Sequence, residues 1–336
     1  MTASGRVRRR ALVAVGGNSL ITDARHQSVA EQWGAAAETC RHIAAMIEAG
    51  WAVVVTHGNG PQVGFILRRS ELARHELHEV PLDVCGADTQ GAIGYAFQQL
   101  LGNELRRRGL PAQVVTIVSQ TEVAAEDPAF ENPTKPIGSF MDEQTARQRA
   151  EQDGWTVMDD ARRGWRRVVA SPVPLRIVEQ PAIDRLLGEG FVVVAAGGGG
   201  IPVIVRADGS LRGVPAVIDK DLASALLASA IGADLFVITT AVERVALRFG
   251  EPGQAWLDCL TLEEAKRYLS EGTHFAVGSM APKIKAVVSF LEVGGPRAII
   301  TDPPHLEGAL AGEAGTHFFG GRKEQGAQER GDFRGR

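Results

Sequence analysis

Short, almost uninterrupted apolar runs recur along the whole chain, separated by amphipathic stretches of helical period. Ala11 to Val15, Trp51 to Thr56, Gln113 to Val118, Phe191 to Ala196, Leu235 to Thr240 and Arg297 to Thr301 read as strands covered on both faces. Between the first two, Val29, Trp33, Ala36, Cys40, Ile43 and Ile47 repeat at helical spacing, with Gly50 just past the end. Strand, helix, strand in that order closes a right-handed crossover, so the expectation is an α/β fold with a mostly parallel sheet. Further helices are expected over Thr89 to Arg108, Glu143 to Gln152, Pro181 to Gly188, Lys220 to Ile231, Leu262 to Ser270 and Met280 to Val293. Thr261 and Glu264 form a capping box; Ser279 is placed to cap the last helix, which Gly294, Gly295 and Pro296 stop.

The 336 residues suffice for one large domain or two lobes sharing a sheet, and the halves divide near Pro172 to Pro181. Residues 1–10 form a basic arm with four arginines; residues 320–336, rich in Gly, Arg, Glu and Gln, have almost nothing to bury and read as a disordered tail. With 36 basic against 40 acidic residues there is no overall field to gather nucleic acid or an anionic membrane. The apolar run after the arm is too short for a leader or a membrane span, so a cytoplasmic protein is expected. Cys40, Cys85 and Cys259 form no CxxC pair and read as buried apolar residues, and His26 and His57 have no partner at metal-ligand spacing.

In an open parallel sheet, ligands sit beyond the carboxyl ends of the strands. Three of these ends carry glycine: Gly16, Gly17, Asn18 and Ser19; His57, Gly58, Asn59, Gly60 and Pro61; and Gly197, Gly198, Gly199 and Gly200. Each alone is readable as a tight turn, but three on one edge can bring backbone N–H groups to an oxyanion. Only six residues are lysine, so a lysine in a marked loop stands out in a chain that otherwise uses arginine. Lys135 is expected at the tip of a proline-bracketed loop, Asn132 to Gly138. Asp219 and Asp221 suit the start of a helix, whereas Lys220 and Lys283, each at a helix start, oppose the dipole unless an anion binds there. Glycine cradles, lysines and no evident nucleophile point to phosphoryl transfer. GxxxxGK[ST] is absent, and Gly58, Gly60 and Gly64 miss GxGxxG by one residue, which weakens a dinucleotide-oxidoreductase reading.

Eight ordered segments carry a closer likeness: AVGGNSL at 14–20, THGNGPQVG at 56–64, TQGAIGY at 89–95, NPTKPIG at 132–138, RRGWRRVVASPVP at 162–174, GGGGIPV at 197–203, VIDKDLAS at 217–224 and GSMAPKI at 278–284. In these segments the chain resembles carbamate kinases of the amino acid kinase superfamily over about residues 10–320. The resemblance implies a three-layer α/β/α sandwich around a mainly parallel sheet, a homodimer, small-molecule substrates, and ATP/ADP with Mg²⁺. It implies one kinase domain over 11–319, with an acceptor-binding N-lobe (about 11–175), a small subdomain around 120–170, and a nucleotide-binding C-lobe (about 176–319). Carried over by position, Gly16, Gly17, Asn18, Gly58, Asn59 and Gly60 would hold the acceptor. Lys135, Lys220, Asp221 and Lys283 would be catalytic, and Gly197, Gly198, Gly199, Gly200, Thr240, Ala241, Val242 and Met280 would border the nucleotide, with no protein metal site. Relatives usually place Gly or Asp, then Val-Asp, after the threonine; Ala241, Val242, Glu243 and Arg244 here put nucleotide preference in question. Another acid kinase of the superfamily, or a silent metabolite sensor, are the alternatives.

Overall fold

The computed structural model describes residues 8–17, 20, 28–160 and 164–320. In chain order its strands and helices are β1 (Arg10–Val15), α1 (Val29–Glu48), β2 (Ala52–His57), α2 (Gly60–Ala73), α3 (Leu82–Arg107), β3 (Val114–Thr116), β4 (Gln120–Val123), β5 (Lys135–Met141), α4 (Glu143–Asp153), β6 (Thr156–Asp159), β7 (Trp165–Val169), β8 (Pro174–Ile177) and α5 (Gln180–Gly188). There follow β9 (Val192–Val194), β10 (Ile201–Val205), β11 (Leu211–Gly213), α6 (Lys220–Ala230), β12 (Leu235–Thr239), β13 (Val245–Leu247), β14 (Ala255–Leu257), β15 (Cys259–Thr261), α7 (Leu262–Glu271), α8 (Met280–Glu292), β16 (Arg297–Thr301), α9 (Leu306–Ala311) and β17 (Thr316–Phe319).

Eight strands form the central sheet in the order β15-β17-β16-β12-β1-β2-β9-β3. The six from β16 to β3 run parallel, and β17 pairs antiparallel to β16 at one side. Because successive side chains on a strand point to opposite faces, the apolar runs divide between two cores. Ala11, Val13 and Val15, with Val53, Val55, Val192 and Val194, join Ile43 of α1 and Phe97 and Leu101 of α3. Leu12 and Ala14, with Val54, Val193, Phe236 and Ile238, join Ile183 of α5, Leu227 of α6 and Phe290 of α8. This is the α/β/α sandwich the sequence resemblance implies. Three smaller sheets, β11-β10-β4-β8, β5-β7-β6 and β13-β14, lie outside it.

Several boundaries differ from expectation for local reasons. Two residues separate the end of β2 from helix α2, which has Pro61 in its first turn; the run Gly58 to Pro61 reads as a loop because the same residues serve a helix start. Helix α3 starts at Leu82, behind Pro81, where Gly86 and two acids obscure the period. Lys135 opens strand β5 opposite Val169 and so sits at a strand start, not a loop tip. Ser279 precedes α8 but makes no capping hydrogen bond, while the Thr261–Glu264 box is formed in full. Arg10 of the basic arm is already in β1; residues 1–7 of the arm, and the tail beyond Gly320, lie outside the described residues.

Helix α3 packs so closely on β3 that a Cβ at Gly94 would lie 2.3 Å from Thr116 Cγ2 and 3.2 Å from its Cβ. Gly94→Ala should therefore cost about 1–3 kcal/mol by overpacking. Since the Thr116 hydroxyl is buried without a partner, adding Thr116→Ala should recover part of that loss; denaturant midpoints of the single and double variants decide, and strict additivity would count against the contact.

Candidate active site

Strands β12, β1, β2 and β9 are adjacent and parallel, so their carboxyl ends open on one rim. The loops that follow them press against each other. A Cβ at Gly16 would stand 2.6 Å from the Thr239 carbonyl oxygen, and one at Gly58 would stand 3.3 Å from the Gly17 nitrogen and 3.7 Å from Lys220 Cδ. The Gly16 N–H donates to Thr239 Oγ1 at 3.3 Å and the Gly58 N–H to the Val15 carbonyl at 3.0 Å. A Cβ at Gly17 or Gly60, by contrast, would meet nothing within 4 Å, so these two leave backbone open to a ligand. Asn18 lies outside the described residues.

The four glycines after β9 are wedged between neighbours. Added Cβ atoms at Gly197, Gly198, Gly199 and Gly200 would come within 2.3 Å of His57 Nε2, 2.2 Å of Asn59 Nδ2, 2.7 Å of the Ile218 carbonyl oxygen and 1.9 Å of Thr121 Oγ1. Ala196, just before them, has a left-handed φ of 48°, costly for a residue with a Cβ. Its N–H donates to Ser119 Oγ at 3.0 Å, and the Gln90 side-chain amide grips the Ser119 backbone at both N–H (2.7 Å) and carbonyl (3.0 Å). Thr121 Oγ1 donates to the Gly199 carbonyl at 2.7 Å, and Asn59 Nδ2 to Thr89 Oγ1 at 2.8 Å. Thr89, Gln90, Ser119 and Thr121 thus shape the rim; of these, sequence reasoning noted only Thr89 and Gln90, inside the TQGAIGY segment.

The charges converge at the start of α6. Asp219 caps that helix with Oδ1, accepting the N–H groups of Asp221 (2.9 Å) and Leu222 (3.3 Å), and its Oδ2 accepts Lys135 Nζ at 3.0 Å. Asp221, 3% exposed, takes Lys220 Nζ on Oδ1 at 2.6 Å and Lys283 Nζ, from the first turn of α8, on Oδ2 at 2.9 Å. Burial opposes ionisation of Asp221, but the two ammonium groups outweigh it and hold its carboxyl below the usual carboxylate range. Burial, with Lys283 nearby, pushes the Lys220 ammonium down despite Asp221. Three ammonium groups against two carboxylates leave one positive charge in excess, which suits a polyanion. Lys135, Lys220, Asp221 and Lys283 are therefore in one linked cluster through Asp219, which the sequence suggested only as a helix cap.

Thr240 follows β12 on the same rim and donates its N–H to the Thr301 carbonyl at 2.8 Å; Ala241 is exposed and Val242 half-buried beside it. Met280 opens α8 and packs on the core. Glu243 is engaged by Arg244 at 3.0 Å, and Arg244 reaches Asp258 at 2.6 Å. His57 is fully buried, with Nδ1 on the Gly58 carbonyl at 3.0 Å and its ring stacked on Phe97. Among the described residues no group of three or more His, Cys, Asp or Glu could hold a metal ion.

Comparison with known proteins gives a consistent picture. The model of the amino acid kinase family matches residues 9–302. The chain is 51% identical over 311 residues to the carbamate kinase-like protein YahI of Escherichia coli (92% of this chain, 98% of that protein) and 48% identical over 313 residues to the carbamate kinase of Pyrococcus furiosus (93% and 99%). Among solved structures, the carbamate kinase of Giardia lamblia bound to AMP-PNP superposes with a TM-score of 0.86 at 39% identity, covering 93% of this chain and 98% of the other.

Burial pushes His57 from 6.5 down to about 4, aided by Lys220, and does the same to His317, aided by Arg297. With the folded value below the unfolded one, the unfolded chain binds more protons between these limits, so stability is lost as pH falls through that window. Each ring contributes a slope of up to about 1.4 kcal/mol per pH unit. Urea midpoints followed from pH 7 to pH 5 should show this loss, and His57→Gln should remove the His57 share of it, leaving that of His317, whatever its effect at neutral pH; an unchanged slope would sink the assignment.

Proposed function

The chain belongs to the amino acid kinase family, and from that premise we propose that it is a carbamate kinase, moving the γ-phosphoryl group reversibly between ATP and carbamate to give ADP and carbamoyl phosphate. What supports this most directly is the convergence of Lys135, Lys220 and Lys283 on Asp219 and Asp221, on the rim where Gly17 and Gly60 leave space that a side chain would otherwise enter.

Carbamate is already an anion with a nucleophilic oxygen, so the transfer needs no strong general base. A carbamate oxygen forms the new bond to the γ-phosphorus while the bond to the bridging oxygen breaks, leaving ADP; no proton has to move. The protein's work is to bring two anions together and spread the charge in flight. In this reading Gly16, Gly17, Asn18, Gly58, Asn59 and Gly60 bound the acceptor side, with the α2 N-terminus contributing its dipole. Lys135 reaches across from its own small sheet, in the subdomain around 120–170, to the transferring group. Lys220 and Lys283 neutralise the nucleotide phosphates, with Asp221 fixing both ammonium positions. Thr240, Ala241, Val242 and Met280 border the nucleotide, and Gly197, Gly198, Gly199 and Gly200 seat the rim between the acceptor and nucleotide sides. The Mg²⁺ that accompanies ATP would be carried chiefly by the phosphates and would add charge neutralisation.

A homodimer fits the exposed apolar face shared by α1, α2 and α3, where Trp33 meets Tyr95 edge-on at 5.3 Å and Val29 and Tyr95 are 68% and 59% exposed. No described helix is long and apolar enough to cross a membrane, and a cytoplasmic setting agrees with the use of ATP and ADP.

Purified protein given ADP and carbamoyl phosphate should produce ATP, and a panel of other acyl phosphates should be poorer donors. Lys135→Ala and Lys220→Ala should each reduce turnover more than tenfold, over ~1.4 kcal/mol of transition-state stabilisation, whereas Lys285→Ala, exposed on α8, should not. Near-normal rates in both cluster variants would refute the roles given to these lysines.

A further inference from the structure

Between helix α2 and the sheet β5-β7-β6 lies a cavity of about 350 Å³ whose lining shares no residue with the lysine–aspartate cluster. Leu67 of α2 and Ile137 and Met141 of β5 give it an apolar wall. Trp155 also lines it, with two guanidinium groups over its ring, Arg149 at 5.2 Å and Arg167 at 4.9 Å.

The cations lining the cavity differ in what holds them. Arg68 pairs with Glu71 at 3.2 Å, and Arg149 with Asp153 at 2.7 Å. Arg167 is half-buried on β7, and its guanidinium, beyond stacking on Trp155, has no hydrogen bond or ion pair among the described residues. Burial lowers its basicity, and Glu71, Glu79 and Asp153 act on it only from beyond ion-pair range. A partly desolvated guanidinium with five donors and no protein acceptor opposite them can still take a ligand, and its fork matches a carboxylate. Glu71 and Asp142 line the same cavity, which disfavours a dianion such as phosphate. Arg149, Trp155 and Arg167, with Leu67 and Glu71, also line a neighbouring cavity of about 700 Å³, where Glu79, Asp83 and Asp153 stand with Arg74. The volume of the first cavity is at the small end of ligand pockets.

We infer that this cavity is a second ligand site, separate from the phosphoryl-transfer cleft, that takes a small organic monocarboxylate: the carboxylate on Arg167, the apolar body between Trp155 and the Leu67, Ile137, Met141 wall. Nothing in the inference depends on which acid the kinase phosphorylates.

Calorimetric titration of the full chain with 4-methylpentanoate tests it, with the neutral 4-methylpentanamide and inorganic phosphate as comparison probes. The expected result is saturable binding of the acid, little of the amide or phosphate, a loss of about tenfold or more in Arg167→Gln, a smaller loss in Trp155→Leu, and no change in Lys220→Ala. Melting curves establish that the variants are folded; should Arg167→Gln fail to fold, the acid-against-amide comparison and Trp155→Leu carry the test. The inference is overturned if the acid shows no saturation up to roughly 10 mM. It is equally overturned if the amide or phosphate binds as well, if Arg167→Gln and Trp155→Leu bind normally, or if binding is lost in Lys220→Ala.

Discussion

A carboxylate buried between two ammonium groups is the constraint on which the rest of the rim depends. Asp221 lies 3% exposed with Lys220 on one oxygen and Lys283 on the other, so the first turns of α6 and α8 are tied together by charge as well as by packing. An ion cluster of this kind loses much of its attraction to desolvation, and its excess of one positive charge leaves the balance incomplete until an anion arrives. Geometry is fixed in advance; the favourable electrostatics come with the ligand. This is the arrangement expected of a protein whose chemistry is the handling of phosphate charge.

That cluster can face the glycine loops only because of sheet order. With β12, β1, β2 and β9 side by side and parallel, four loops from distant parts of the chain share one edge. Their contact leaves little slack: Gly197, Gly198, Gly199 and Gly200 lie where any side chain would strike His57, Asn59, Ile218 or Thr121. The left-handed Ala196 is retained in the same spirit, since the hydrogen bonds through Ser119 and Gln90 set against its strain are all buried.

How far the fold is legible in the sequence depends on the range of the signal. Strand Arg297–Thr301 and helix α1 follow from period and punctuation alone, because both-face burial leaves unbroken apolar runs and a covered helix leaves a 3.6-residue stripe. Helix α2 does not, since Gly58, Asn59, Gly60 and Pro61 suit both a loop and a helix start. The oddity of Lys220 and Lys283 at helix starts is readable as a demand for an anion. Their shared hold on Asp221 is not readable, because 62 residues separate Lys283 from its partner. Likewise the glycines after β9 stand out in the sequence as backbone open to a ligand, whereas in three dimensions their missing side chains are accounted for by neighbouring protein atoms; of the described glycines in the three rim loops, Gly17 and Gly60 are the bare ones. Resemblance to a family supplied the reaction; close packing had to be seen.

The two oxygens of Asp219 do separate jobs. Oδ1 holds the helix start and Oδ2 holds Lys135. Were Lys135 to leave its carboxylate for a phosphoryl oxygen, as the proposed function requires, Oδ1 would still hold the first turn of α6, and the small sheet would be unclasped from the rim without disturbing its anchor.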